Sequence, residues 1–203
     1  MELKQVIEQR RSIRRFKPDP LPESYIMELL EAARLAPSGT NIQPWRFVVV
    51  ESAEMRKRLS ECTLGVNFIA RAPVTFVCCA DLNAVESRPK RIAELREAGA
   101  FIGTDFENIN MEDYVKQRAM DRNAAKAYVS LNAAIAIEHM VLRATDLGLG
   151  SCWIMMFNQK AVKKLLNLDD NLVVVALLPV GFPDQDPPPR PRLTIKDILL
   201  QRV

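Results

Sequence analysis

Residues 36–50 read APSGTNIQPWRFVVV. Pro37 stops the helical pattern that precedes it, and RFVVVES (46–52) has the β-branched and aromatic character of a buried strand. Between them lies a short loop of Pro, Ser, Gly, Thr, Asn and Gln. Such a loop presents side-chain amides and backbone N–H groups to a polar, planar ligand. A plain Pro/Gly turn would not need Asn41, Gln43 and Trp45 crowded together. The stretch therefore marks a helix-to-strand junction that can carry a site.

Outward from this junction the chain alternates helices with apolar strands. Upstream, PESYIMELLEAARLA (22–36) places Ile26, Leu29, Leu30 and Ala33 on one helical face, with Pro22 in the first turn and Glu23 complementing the positive end of the dipole. LKQVIEQRRS (3–12) predicts a shorter helix through Leu3, Val6 and Ile7. Downstream, AEMRKRLSEC (53–62) reads as a helix and APVTFVCCA (72–80) as a second strand. Residues 87–122 are polar and poorly periodic after a helix at RPKRIAELREAG (88–99), and are expected to be a variable insertion covering the site like a lid. Ala124 to Leu147 is the longest helical pattern. It is apolar nearly all round, as a helix buried on most sides would be, with Gly148 and Gly150 ending it. SCWIMMF (151–157) is a third strand or extended segment, NQKAVKKLLNL (158–168) a helix, and NLVVVALLPVGF (171–182) a fourth strand. The tail is a stiff proline-rich arm ending in a short amphipathic stretch. With no repeat or linker, residues 1–203 are expected to form one α+β domain.

Composition narrows the function classes. The chain has 28 Lys and Arg against 25 Asp and Glu, a net charge of +3, which is too mild a basic excess for a nucleic-acid partner. No apolar run approaches the ~18 residues of a membrane span. MELKQVIEQR is charged from its second residue and has no apolar core, so it does not read as a secretory signal; cytoplasm is the expected location. The four cysteines form no CxxC pair, and with a single histidine no metal site is expected. Cys78 and Cys79 read as small strand hydrophobes, and His139 as a hydrogen-bonded core or interface residue rather than a catalytic base. GLGSCW (148–153) is not a dinucleotide fingerprint: Trp153 replaces the third glycine, and a helix precedes the glycines where a strand is needed.

Charge is instead concentrated locally. In RRSIRRFK (10–17) five positive side chains fall in eight residues, and a second arginine pair, Arg190 and Arg192, follows in PPPRPRL (187–193). Guanidinium forks suit phosphate oxygens. Two arginine groups bracketing a polar loop are expected to hold one phosphate carried on a larger planar cofactor.

RRSIRRF, APSGTNIQPWRFVVV, GLGSCWI and PPPRPRL, in that order and at this spacing, resemble the four flavin-binding motifs of the FMN-dependent nitroreductase family. The resemblance implies an α+β fold with a central, mainly antiparallel sheet flanked by helices, in an intertwined homodimer with FMN at the subunit interface. It further implies that Arg10, Arg11, Ser12 and Arg14 hold the phosphate, ribityl chain and ring edge from one chain, joined by Arg190 and Arg192. Pro37, Ser38, Gly39 and Asn41 would come from the partner chain. Cys152, Trp153, Ile154, Met155 and Met156 would run by the pyrimidine ring and N5. No side chain is singled out as catalytic: NADH or NADPH would give hydride to the flavin, which would reduce a small nitroaromatic, quinone or related acceptor. Some members carry Glu-Gly where this chain has Met155 and Met156, which removes any role for that carboxylate but spares backbone contacts. The alternatives are a different flavin reaction on the same fold, such as reductive dehalogenation or oxygen-dependent chemistry, or a non-enzymatic basic-patch module.

Overall fold

The computed structural model describes residues 1–117 and 119–203. Its centre is a sheet of β1 (Trp45–Val50), β2 (Val74–Asp81), β3 (Gly150–Ser151) and β4 (Leu172–Gly181), in the order β1-β2-β4-β3 with every pair antiparallel. β2 is an apolar run without alternation because both of its faces are covered. Val74, Phe76, Cys78 and Ala80 pack under α2 (Glu23–Arg34) and α6 (Arg122–Asp146). Val77 and Cys79 face the other way, toward the layer of α3 (Ala53–Glu61) and α7 (Gln159–Leu165). A β-bulge between Cys78 and Cys79 shifts the register against β4. The antiparallel, helix-flanked α+β architecture expected from the resemblance is thus present.

Smaller elements differ from expectation. The first helix, α1, is Leu3–Gln9 and stops before Ser12, because the chain turns extended at Arg10 and Ser12 bridges to Ser151. β3 keeps one residue of the expected 151–157 strand, Ser151, and Ile154 then forms an isolated bridge to Leu177. Gly148 does end α6, with φ +74°, but Gly150 serves another purpose. A Cβ there would lie 2.7 Å from Ile13, so its bare backbone admits the N-terminal segment to the sheet edge.

The long helix begins at Arg122, where Asp121 caps the Ala124 N–H at 2.8 Å. It is not buried on most sides: Leu131 is 66% exposed and Ile135 lies beside it on the open face. His139 is half-buried near Met1 and Asp146 rather than in the core. Residues 87–117 hold α4 (Arg88–Glu97), a series of turns, and α5 (Met111–Gln117), which the interrupted pattern concealed. After Asp184 the arm leaves the body, and α8 (Ile195–Ile198) stands exposed. Among the described residues no helix is long and apolar enough to cross a membrane.

Candidate functional site

The segment Arg10–Lys17 runs as an extended strap along the sheet edge. The Ile13 N–H donates to the Ser151 carbonyl at 2.8 Å and the Lys17 N–H to the Phe182 carbonyl at 2.9 Å. Ile13 and Phe16 point inward and are buried with Ala72, which turns the intervening arginines outward. Each arginine then has a different fate. Arg15 is spent on structure, donating to the Asp184 carbonyl at 2.8 Å and pairing with its carboxylate at 3.3 Å. Arg11 caps the end of α1 through the Glu8 and Arg10 carbonyls at 2.6 and 2.8 Å. Arg10 and Arg14 form no ion pair among the described residues, and Arg14 makes one long contact, 3.4 Å to the Ser12 carbonyl.

These two cations converge on Cys152. Burial pushes its thiol up, while Arg14 and then Arg10 act in the opposite sense, and the Ser12–Ser151 bridge sets the strap that carries both arginines beside the start of the Cys152–Met156 segment. Cys152 and Ile154 face the core, Trp153 packs against it, and Met155 and Met156 lie exposed. The Cys152 and Ile154 N–H groups are committed to the Pro179 and Leu177 carbonyls. Arg14 is thus without an ion pair among the described residues and Arg10 faces Glu138 without a close ion pair, which leaves net positive charge beside a backbone edge, an arrangement that fits a phosphate.

The loop after α2 is built with unusual backbone. Thr40, Asn41 and Gln43 have φ of 50°, 53° and 46°. A left-handed β-branched threonine is strained, so the surroundings must over-determine it. They do so from both ends: Ile42 is buried, and the Ser38 hydroxyl accepts from the Gln43 N–H at 3.0 Å. The Gly39 N–H donates 2.7 Å to the side-chain oxygen of buried Asn132 on α6, whose amide donates to the Tyr128 carbonyl at 2.8 Å. A Cβ on Gly39 would collide with the Tyr128 hydroxyl. Asn132 and Tyr128 were missed in the sequence, where the helix reads as uniformly apolar. The available signal was an asparagine inside a buried helix, since a buried amide requires partners. The Asn41 side-chain amide makes no hydrogen bond among the described residues and is free for a ligand.

Loop and arginines do not meet. The loop borders a cavity of about 480 Å³, and none of the expected arginines lines it. Arg190 and Arg192 stand on the exposed arm, where Arg192 donates to the adjacent Pro191 carbonyl at 3.2 Å. One chain holds the expected site as three separate pieces. Among the described residues no cluster could bind a metal ion.

A model of the nitroreductase family matches residues 7–182, from the second half of α1 to just past the end of β4. The chain belongs to that family. It is 35% identical over 196 residues to a protein called NADH dehydrogenase in Thermus thermophilus, covering 95% of this chain and 92% of the relative. An iodotyrosine deiodinase of Thermotoga neapolitana is 27% identical over 183 residues, covering 90% and 89%. Among solved structures, a nitroreductase family protein from Streptococcus pneumoniae superposes with a TM-score of 0.80 at 27% identity, covering 99% of this chain and all of the other. A protein of Exiguobacterium sibiricum, solved in complex with FMN, shares the fold with a TM-score of 0.82 at 20% identity, covering 100% and 98%.

Proposed function

We propose that the protein is an FMN-dependent oxidoreductase that takes electrons from NADH or NADPH and reduces small nitroaromatic, quinone or related acceptors. The observation that carries this is the Arg10–Arg14 pair on the strap beside Cys152, where Arg14 has no ion pair among the described residues and Arg10 faces only the Glu138 carboxyl. These guanidiniums would hold the FMN phosphate, with Ser12 beside them; Arg11, bound to the end of α1, has the lesser share. Pro37, Ser38, Gly39 and Asn41 from a second copy would close on the ring, and Arg190 and Arg192 would reach the phosphate when the arm is docked. The backbone of Cys152 to Met156 would border the pyrimidine edge. Bound flavin supplies the hydride chemistry, so the protein's task is to position it and exclude water.

The separation of loop from arginines within one chain, and the apolar arm with nothing packed on it, favour an intertwined homodimer. The buried, unpaired thiols fit a reducing compartment, the cytoplasm. A second reading keeps the cofactor and makes the reaction reductive dehalogenation, favoured by the similarity to the Thermotoga deiodinase. The test is flavin uptake by absorbance, then anaerobic mixing with NADH and with NADPH, then a panel of nitro, quinone and iodophenol acceptors. A protein that takes up no FMN refutes both readings. Turnover confined to iodophenols favours the second.

A further inference from the structure

Away from the strap, the loop and the arm, positive charge gathers a second time. The first turns of α6 carry Arg122 and Lys126, four residues apart, and α7 carries Lys160, Lys163 and Lys164 at the same helical spacing. Residues at these intervals lie side by side on one helix face, with Cβ atoms about 5–6 Å apart. Both rows line the same groove, of about 800 Å³.

The groove holds little of the opposite sign. Asp170 is the one carboxylate in its lining among the described residues, and it pairs with Lys163 at 3.4 Å. Lys163 is held in place, its side chain only 16% exposed and close enough to Cys79 to act against the burial of that thiol. The other four cations form no ion pair among the described residues. Asp121, beside Arg122 in sequence, is occupied in capping the Ala124 N–H at 2.8 Å.

Like charges three or four residues apart destabilise a helix. Two helices that each carry such a set, turned into one concavity, keep that cost until an anion enters. Packing does not require these cations, because Val162 and Leu165 supply the contact of α7 with the core. A concave wall of one sign also focuses the field on whatever enters it.

We propose that this groove is a second anion site, which binds a chain of phosphate groups such as that of a nucleoside triphosphate or of inorganic tripolyphosphate. Successive phosphates would lie between the α6 and α7 rows and take charge-assisted hydrogen bonds from both. Five cations offset by one carboxylate suit a multiply charged chain better than a single phosphate or carboxylate. An extended nucleic acid would need a broader basic surface, which a net charge of +3 does not supply. None of Arg10, Arg14, Arg190 and Arg192 lines the groove, so the site does not rest on the flavin reading.

The test is isothermal titration calorimetry of the full-length protein in excess FMN, without magnesium, using tripolyphosphate, ATP, adenosine and orthophosphate. Tripolyphosphate and ATP should bind on the order of tenfold more tightly than orthophosphate or better, and adenosine should not bind. Lys160→Gln with Lys164→Gln, and separately Arg122→Gln with Lys126→Gln, should each weaken tripolyphosphate by on the order of tenfold. Both variants should keep their FMN uptake and circular dichroism. Their urea midpoints should match or exceed that of the wild type, because like-charge repulsion is relieved. Arg10→Ala with Arg14→Ala should leave tripolyphosphate binding as it was. ATP binding tighter than tripolyphosphate assigns the source to a nucleotide; equal or weaker binding assigns it to the phosphate chain alone. Tripolyphosphate binding no tighter than orthophosphate, unaffected by both groove variants, or lost with Arg10 and Arg14, overturns the proposal. Binding of a short RNA duplex without tripolyphosphate does the same. A protein that takes up no FMN but holds tripolyphosphate in the groove overturns the flavin reading alone. A flavin-loaded protein indifferent to tripolyphosphate overturns this one alone.

Discussion

The Asn132 carboxamide spans two backbone groups, the Gly39 N–H at 2.7 Å and the Tyr128 carbonyl at 2.8 Å. Replacing it with alanine leaves the Gly39 donor without its partner and frees a strained loop to relax. Asn132→Ala should cost about 1–3 kcal/mol of stability, read from urea denaturation midpoints, and should weaken FMN uptake although the residue touches no cofactor. Unchanged stability would mean that the loop holds its shape alone. Cys79 offers a pH signature at the same scale. Burial raises its thiol from the ordinary 9.0 to about 11, with Lys163 pulling weakly the other way. The folded chain keeps this proton where the unfolded chain loses it. The stabilisation is therefore full below pH 9 and is lost as the pH rises toward about 11, by about 1.4 kcal/mol per unit from this group. Comparing urea midpoints of wild type and Cys79→Ala from pH 8 to 11 should show a shallower decline in the variant; parallel curves would contradict the assignment.

Among the elements, the C-terminal arm and the open face of α6 are conspicuous for what does not cover them. Leu193, Ile195, Ile198, Leu199 and Leu200 are all more than half exposed, and Leu131 and Ile135 lie open on the long helix. Exposed apolar surface of this kind fits the proposed homodimer, in which a second chain would cover it. Because the arm contributes no hydrogen bond to the body beyond Asp184 among the described residues, deleting residues 185–203 should leave the sheet core folded. The truncated chain should show a native circular dichroism spectrum but a lower mass by light scattering, together with reduced flavin retention. A truncated protein with full mass and full flavin would show that the arm has neither role.

For the whole molecule, the division of the site makes a combinatorial prediction. One variant carries Arg10→Ala and Arg14→Ala; the other carries Ser38→Ala and Asn41→Ala. Each homodimer has two defective sites. In a mixed dimer of two-fold symmetry, one site collects both defects and the other receives intact arginines from one chain and an intact loop from the other. Purified mixed dimers should bind about one FMN per dimer, measured by flavin absorbance, while the parents stay nearly colourless. If mixed dimers are as flavin-poor as the parents, the site lies within one chain.

Apart from α5, the order of the main helices and strands followed from residue pattern, because periodicity and end signals operate within a few residues: Ile26, Leu29 and Ala33 make a buried stripe wherever α2 is placed. The motif residues were legible for the same reason, since a clustered charge or a Pro-Ser-Gly-Thr-Asn loop is a local fact. Tertiary structure alone decided which arginines remain free. Arg15 is claimed by Asp184, 169 residues away, and Arg11 by the helix it follows, leaving Arg14 without an ion pair among the described residues and Arg10 facing only Glu138. It also decided what holds the loop, because Asn132 lies 93 residues from Gly39 and its neighbours in sequence are small and apolar. A hydrogen bond or ion pair depends on which groups the fold brings within about 3 Å, and no window of sequence contains that distance. The open face of α6 has the same origin: the sequence specified an apolar helix, and packing against one sheet could bury only the sides that meet it.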